Sequence, residues 1–506
     1  MTEVILVQSF SIPEKILQNS RSLIATYFPD KKILINDSDC AYDYKLIIEE
    51  KSSEEELLIF TWEKDNILIK TYCISKEYKT GLQKFPIVGK ENLSQIIVKQ
   101  GIVTLLSLIT GQILPWGILI GTRPSKLMFR MNQMKIESQV QSDILKKMYL
   151  AKKDKIELLQ SVEKHQKSYI TNMLKNIRKI SIYISIPFCP SRCSYCTFPS
   201  NLPGKTRKKV VKYLEVLKKE IKLVSQMMLK MNIQAENIYF GGGTPTSLLD
   251  EEIESLLLYV KNLIPTSDDL ELDFEAGRAD TITESKLKIL QKYGVNRISI
   301  NPQTMHDSTL KKIGRQHSVA EVIECFKMAR LLSNWTINMD LILGLQGEGS
   351  LEIHESVDKL LALKPDNITI HALALKRGST DWQRGCSYDS NALLYGIGNS
   401  IHSKIISEGY YPYYMYRQKH IAGNLENTGY CLPGKECRYN IGIIEEKQSI
   451  IGIGAGSATK VFNYKELSHI NMYNPIDLDV YFEKLENINL LREERFRQVI
   501  ETFGDF

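Results

Sequence analysis

The chain has 506 residues, too many for one ordinary core, so two or three domains are expected. Hydrophobic residues make up 43% and charged residues 25%, a mixture that excludes a disordered or fibrous chain. The net charge of +6 comes from 65 basic and 59 acidic residues, largely interleaved, which argues against nucleic-acid binding and leaves local basic clusters for acidic small molecules.

The opening MTEVILVQSF has no basic region ahead of a sustained apolar stretch and no small-residue cleavage site after it, so no signal peptide is expected. Residues 1 to 100 alternate strand-like runs (YKLIIEE, LLIFTWE, NILIKTYCI) with polar turns, the pattern of an N-terminal α+β domain placed at 1–130. The apolar run 101–121 contains Gln112, Pro115 and several glycines, which favours a buried helix and a loop over a membrane span. Residues 131–178 are charged and helix-forming, and read as a linker of one or two amphipathic helices.

From 179 to 380 the rhythm changes. Six apolar runs, KISIYISIPF, ENIYFGGG, LELDFEAG, NRISINPQ, INMDLILGL and DNITIHAL, are mostly separated by helical patterns. Repeated strand–helix–strand units mean parallel strands with right-handed crossovers, in an open sheet or a full or partial barrel. Residues 381–506 are assigned to a C-terminal α/β extension that covers or binds substrate.

Chemistry in such folds gathers at the carboxyl ends of the strands. There the six runs place CPSRCSYC (189–196), GGGTPT (241–246), Glu275, Gln303, Asp340 and His371. Polar or glycine residues at six apolar strand ends suggest one pocket lined from six sides. Cys189, Cys193 and Cys196 fit a [4Fe-4S] cluster with one iron left open; an incomplete zinc site or three free core cysteines are the alternatives. The remaining cysteines are scattered and the total of nine is odd, so a disulfide framework is not expected and a cytoplasmic location is. The glycines allow close backbone approach to a ligand, or else form a tight turn. Glu275 and Asp340 suit ribose hydroxyls, and Arg315 in KKIGRQHS suits a carboxylate; each reads equally well as a cap or a surface partner.

YISIPFCPSRCSYC resembles the CxxxCxΦC signature of the radical S-adenosylmethionine (SAM) superfamily, with Tyr195 as the aromatic residue. IPFC, YFGGGTPT, EA, NPQ and GRQHS resemble more narrowly the oxygen-independent coproporphyrinogen III oxidases (coproporphyrinogen dehydrogenases). LPWGILIGTRPSK, YRQKHIAGNLENTGY and NIGIIEEKQSIIGIGAG resemble the branch of that family with an extra N-terminal domain. The resemblance implies a partial (β/α)6 radical SAM barrel. It implies a cluster on Cys189, Cys193 and Cys196, and SAM contacts from Tyr183, Gly242, Gly243, Thr244, Glu275, Gln303, Arg315 and Asp340.

It further implies decarboxylation of two propionates of coproporphyrinogen III to vinyl groups, giving protoporphyrinogen IX in haem biosynthesis, by a 5′-deoxyadenosyl radical. A one-electron donor such as flavodoxin or ferredoxin and a monomeric state are expected with it. Better-known members carry a fourth cysteine where this chain has TFPS and a histidine where it has Ser185, departures that bear on substrate handling. Arg123, Lys126, Arg417, Lys419 and Lys447 are candidate anchors for propionates, each also readable as a surface charge. A haem chaperone that keeps the cluster loop without dehydrogenase activity is the main rival, and a radical SAM enzyme acting on RNA a second.

Overall fold

The computed structural model describes residues 3–37, 40–51, 56–120, 123–198, 200–202, 207–384, 391–418 and 421–503. The chain divides into two compact units. One holds Met1–Glu163 with returns at Tyr388–Asn399 and Tyr416–Glu426; the other holds the rest.

The first unit is built on five strands, β1 (Val4–Gln8), β2 (Lys32–Ile35), β3 (Tyr44–Glu50), β4 (Glu56–Lys64) and β5 (Ile67–Ser75), in the order β2-β1-β3-β4-β5. β1 is parallel to β2 and β3, and the rest of the sheet is antiparallel. The apolar run from 101 begins inside the helix Leu93–Thr110, which starts at a reciprocal Asn92–Gln95 cap. Length and composition would let that helix cross a membrane, but half of it is buried in the protein and it packs on β4 and β5. The expected linker, 131–178, takes in the end of the helix Pro124–Gln133, the short helix Ser138–Asp143 running into a π-turn at Ile144–Met148, and Lys153–Lys175. The unit boundary falls within this last helix.

The second unit contains an 11-stranded sheet. Its centre is β6 (Lys179–Ile186), β7 (Gln234–Gly242), β8 (Thr266–Glu275), β9 (Arg297–Ser299), β10 (Thr336–Leu343) and β11 (Asn367–Ala372), parallel and in sequential order. Each expected strand run overlaps one of them, with β7, β8 and β10 starting one to four residues earlier than their runs. Helices Lys208–Lys230, Asp250–Leu263, Glu284–Lys292, Val319–Leu332 and Ser350–Leu363 make the crossovers, giving the partial (β/α)6 barrel.

The C-terminal residues extend the sheet at both edges. β12 (Tyr411–Tyr416) and β13 (Asn427–Cys431) extend the sheet beyond β11, while β14 (Ile450–Ile453), β15 (Ala458–Asn463) and β16 (Ser468–Tyr473) extend it beyond β6. The physical reason is that an open parallel sheet leaves two unpaired edges, and pairing satisfies their N–H and C=O groups. The aromatic run around 410–416 is accordingly packed as a strand: Tyr413 and Tyr414 are buried, and the Tyr414 hydroxyl lies 3.2 Å from that of Thr369.

Strand alternation divides the barrel into two chemistries. Ile180, Ile182, Ile184 and Ile186 are fully buried on one face of β6, whereas Ser181, Tyr183 and Ser185 occupy the other. Register aligns Ser181 with Asn237 and Tyr183 with Tyr239, then Tyr239 with Asp273 and Asp273 with Arg297. The inner face is thus polar and aromatic well below the strand ends.

Candidate functional site

β6 stops at Ile186, and Phe188, 1% exposed with its ring edge-on to Tyr213, anchors the chain just before Cys189. The base of the cysteine loop is closed by Cys189 N–H donating to Asn201 O (3.1 Å) and Asn201 N–H to Pro187 O (2.7 Å). Cys193 is buried, Cys189 and Cys196 are half-buried, and all three are free thiols. Neighbouring segments clasp the loop: Ser194 N–H donates to Ile313 O (3.0 Å), Asp381 N–H to Ser194 O (3.1 Å), and Ser194 Oγ to Asp381 Oδ2 (3.0 Å). Burial pushes the Cys189 and Cys196 thiols up, with the neighbouring cysteines adding to it. Protein alone therefore disfavours thiolates here, and a soft metal centre that replaces the protons suits this donor set.

The glycine turn after β7 lies flush against the lead-in to that loop. Gly243 N–H donates to Ile186 O (2.9 Å) and Thr244 N–H to Phe188 O (2.7 Å). A Cβ on Gly243 would stand 2.5 Å from Phe188 O, and Gly242 has φ +112°, so both positions require glycine. Thr244 Oγ1 is 3.5 Å from Cys189 Sγ.

At the end of β8, burial and then the charge of Asp340 push the Glu275 carboxyl up to about 8, against a hydrogen bond from Gly242 N–H. Asp340 behaves oppositely: burial raises it, but His371, 3.6 Å away, and Asn338 Nδ2, donating at 2.7 Å, bring it below its ordinary value. Tyr183 is half-buried in a stack with Tyr239 and Tyr439, centroids 4.6 to 6.0 Å apart. Burial followed by the Glu275 charge pushes its hydroxyl up.

Gln303 follows β9 with φ +70°, a left-handed conformation that costs a side-chain-bearing residue about 1–3 kcal/mol. It is held by Gln303 N–H to Asp340 O and Ile342 N–H to Gln303 O, both 2.9 Å. Arg315 Nη1 donates to Gly277 O (3.0 Å) and Asn301 O (2.7 Å), and its guanidinium also bonds Cys193 and Tyr195. Among the described residues, the buried polar atoms without a hydrogen-bond partner include Gln303 Oε1, Asn301 Oδ1 and Arg315 Nε, together with Ser299 Oγ and His317 Nε2. Each such omission costs about 1–3 kcal/mol, and a polar ligand is one way of meeting that cost. Glycines that admit a close backbone, a carboxyl pair and unspent amide and guanidinium atoms fit the amino acid and ribose of SAM.

The structure therefore gathers the three cysteines, Tyr183, the glycine turn, Glu275, Gln303, Arg315 and Asp340 in the second unit. Asn301, Tyr239, Tyr439, Arg278, Asp280 and His317 belong with them and were not singled out by sequence. Asn301 was within reach, two residues before Gln303 on the same polar alternation. The proposed propionate anchors are distributed differently. Arg123, which precedes the helix Pro124–Gln133, and Lys126 lie in the first unit. Arg417 also lies there, donating to the carbonyls of Leu119, Asn424 and Leu425; burial brings it down to about 10. Lys419 lies outside the described residues. Lys447 is buried, its ammonium 5.9 Å from the Phe462 ring centroid, instead of standing at the surface.

Fold and cysteine loop together define a radical SAM protein, and the family model described as the radical SAM superfamily matches residues 183–360. The chain is 38% identical over 437 residues to the oxygen-independent coproporphyrinogen-III oxidase-like protein HemZ of Bacillus subtilis, covering 84% of this chain and 86% of that one. It belongs to that oxygen-independent coproporphyrinogen III oxidase family, in which a [4Fe-4S] cluster and SAM are the cofactors. It is also 29% identical over 301 residues to the heme chaperone HemW of B. subtilis, covering 57% of this chain and 74% of that one. Among solved structures, the coproporphyrinogen III oxidase HemN of Escherichia coli shares the fold with TM-score 0.51 and 19% identity, over 64% of this chain and 72% of that one.

Proposed function

We propose that this protein carries out the oxygen-independent oxidative decarboxylation of two propionates of coproporphyrinogen III, giving the vinyl groups of protoporphyrinogen IX. In this reading Cys189, Cys193 and Cys196 hold the cluster, and the strand-end pocket holds SAM. When bound, the two cofactors supply a hydrogen-abstracting carbon radical after transfer of one electron from a donor such as flavodoxin or ferredoxin.

The chain's own residues do the rest. Gly242 and Gly243 bring backbone to the ligand, Glu275 and Asp340 meet hydroxyls, and Asn301, Gln303 and Arg315 offer unspent polar atoms to the amino-acid end. Glu275, with a carboxyl at about 8, carries a proton near neutrality and so donates to a ligand oxygen while ionised Asp340 accepts. Each substrate propionate loses one hydrogen atom, one further electron and CO2.

The observation that carries the reading is the free three-thiol loop beside unpartnered buried polar atoms; likeness along most of the chain to a coproporphyrinogen oxidase-like protein supports the substrate. The test is anaerobic incubation with SAM, a low-potential reductant and coproporphyrinogen III. CO2 and the divinyl product are expected. Tight haem binding with no turnover would instead favour the chaperone reading that the HemW likeness raises.

A further inference from the structure

The segment that follows Glu275 reads AGRAD, and its arginine turns back onto the cysteine loop. Arg278 is 3% exposed. Its Nε and Nη2 donate to the two oxygens of Asp280, at 3.0 and 2.9 Å. Its Nη1 donates to the carbonyl of Ser191 at 3.0 Å and to Ser191 Oγ at 2.8 Å. Ser191 lies midway between Cys189 and Cys193.

Asp280 is fixed from a second side by His317, Nδ1 to Oδ1 3.2 Å, with the imidazole ring buried. Against the cost of burial, His317 and Arg278 hold the Asp280 carboxyl well below the usual carboxylate range, so it is charged. A second guanidinium, Arg315, bonds the other half of the loop at Cys193 and Tyr195.

We propose that Arg278 and Asp280 form a paired positioning element that both locks the first half of the cysteine loop and sets the reduction potential of its cluster. The proposal rests on the three cysteines holding the cluster. Cluster potentials respond to nearby charge, hydrogen bonding and solvent exposure. Reduction adds one negative charge, which the fixed guanidinium stabilises and the carboxylate behind it opposes. The bidentate fork to Asp280 leaves Nη1 free to aim at Ser191, a geometry that lysine lacks. The pair would thus be a push and a pull on one quantity, with the guanidinium, not the carboxylate, bonded to the cysteine loop.

Anaerobic redox titration of the reconstituted protein, followed by electron paramagnetic resonance, tests this. Arg278→Gln should make the cluster harder to reduce, with a tenfold lower ratio of reduced to oxidised cluster at fixed potential, equal to 59 mV for one electron. Asp280→Asn should shift it in the opposite direction. Arg278→Lys should stay closer to the parent in potential while losing iron faster to a chelator. A purely mechanical clamp predicts no shift, or shifts of one sign, and either overturns the proposal. Absence of iron and sulfide from the unaltered protein would overturn the cysteine assignment itself, and that result is separate from unmoved potentials on an intact cluster. If Arg278→Gln does not fold, Asp280→Asn alone carries the test, and its failure to ease reduction overturns the proposal.

Discussion

Replacing Gly243 with alanine probes how the glycine turn seats on the cysteine loop. The added Cβ would lie 2.5 Å from Phe188 O and 2.8 Å from Phe188 N. Ordinary contact begins at 3.4 Å, so the two segments must part by 0.9 Å. That movement stretches the bonds from Gly243 N–H to Ile186 O and Thr244 N–H to Phe188 O, now 2.9 and 2.7 Å, past useful range. Two backbone bonds at about 1 kcal/mol each, with about 1–3 kcal/mol of overpacking, cost roughly 3–5 kcal/mol if nothing yields. The turn is the softer partner, because Phe188 is fully buried against Tyr213. Relief therefore displaces the turn from the pocket, and a misplacement of about 1 Å in a reacting geometry costs on the order of a hundredfold. The expected outcome is parent-like iron content with reductive SAM cleavage slowed about a hundredfold and SAM binding weakened in anaerobic equilibrium dialysis. Parent-like SAM binding in Gly243→Ala would refute the assignment of the turn to SAM.

Cys193→Ala should abolish about four irons per chain and the brown colour of the reconstituted protein; one zinc and no sulfide in the parent would remove the basis for this expectation. Glu275 keeps a proton in the folded chain up to about 8, while the unfolded chain releases it near 4.5, so folding stability should fall as pH rises across that window. Glu275→Gln should flatten this decline in a series of Tm measurements against pH, and an unchanged slope would exclude Glu275 as its source. Arg492, fully buried, donates to Glu220 Oε1 at 2.7 Å and to Gly452 O at 2.8 Å. Arg492→Met strands that carboxylate and should cost about 3–5 kcal/mol in denaturant unfolding, with part recovered in the double variant carrying Glu220→Gln.

The barrel was legible because its strands are short β-branched runs bounded by glycine and charged helix starts, and each expected run overlaps one. Two strands of the first unit, VILVQ and KILI, were not among the runs singled out. The polar inner face was visible as alternation in SIYIS and ENIYFG, but the apolar neighbours dominate such a run when it is read as one block. Arg278 and Asp280 were not legible, since the arginine's partner in the cysteine loop lies 87 positions away. The same holds for β14 beside β6: nothing local in IIGI says which edge it will cover. Gln303 was found as a motif residue, but its left-handed backbone is a property of the bridge to Leu341.

The pairing of β14 with β6 has a consequence for biogenesis. Ile182 sits opposite Ile451, so the strand that leads into Cys189 keeps one edge bare until the chain has grown 269 residues further. At synthesis rates of ~5–20 residues per second, that interval is roughly 13–54 s. During it, an apolar parallel strand exposes unpaired backbone, the situation in which nascent chains associate wrongly. The strand that leads into the cysteine loop therefore gains its second neighbour only when the C-terminal strands have been made.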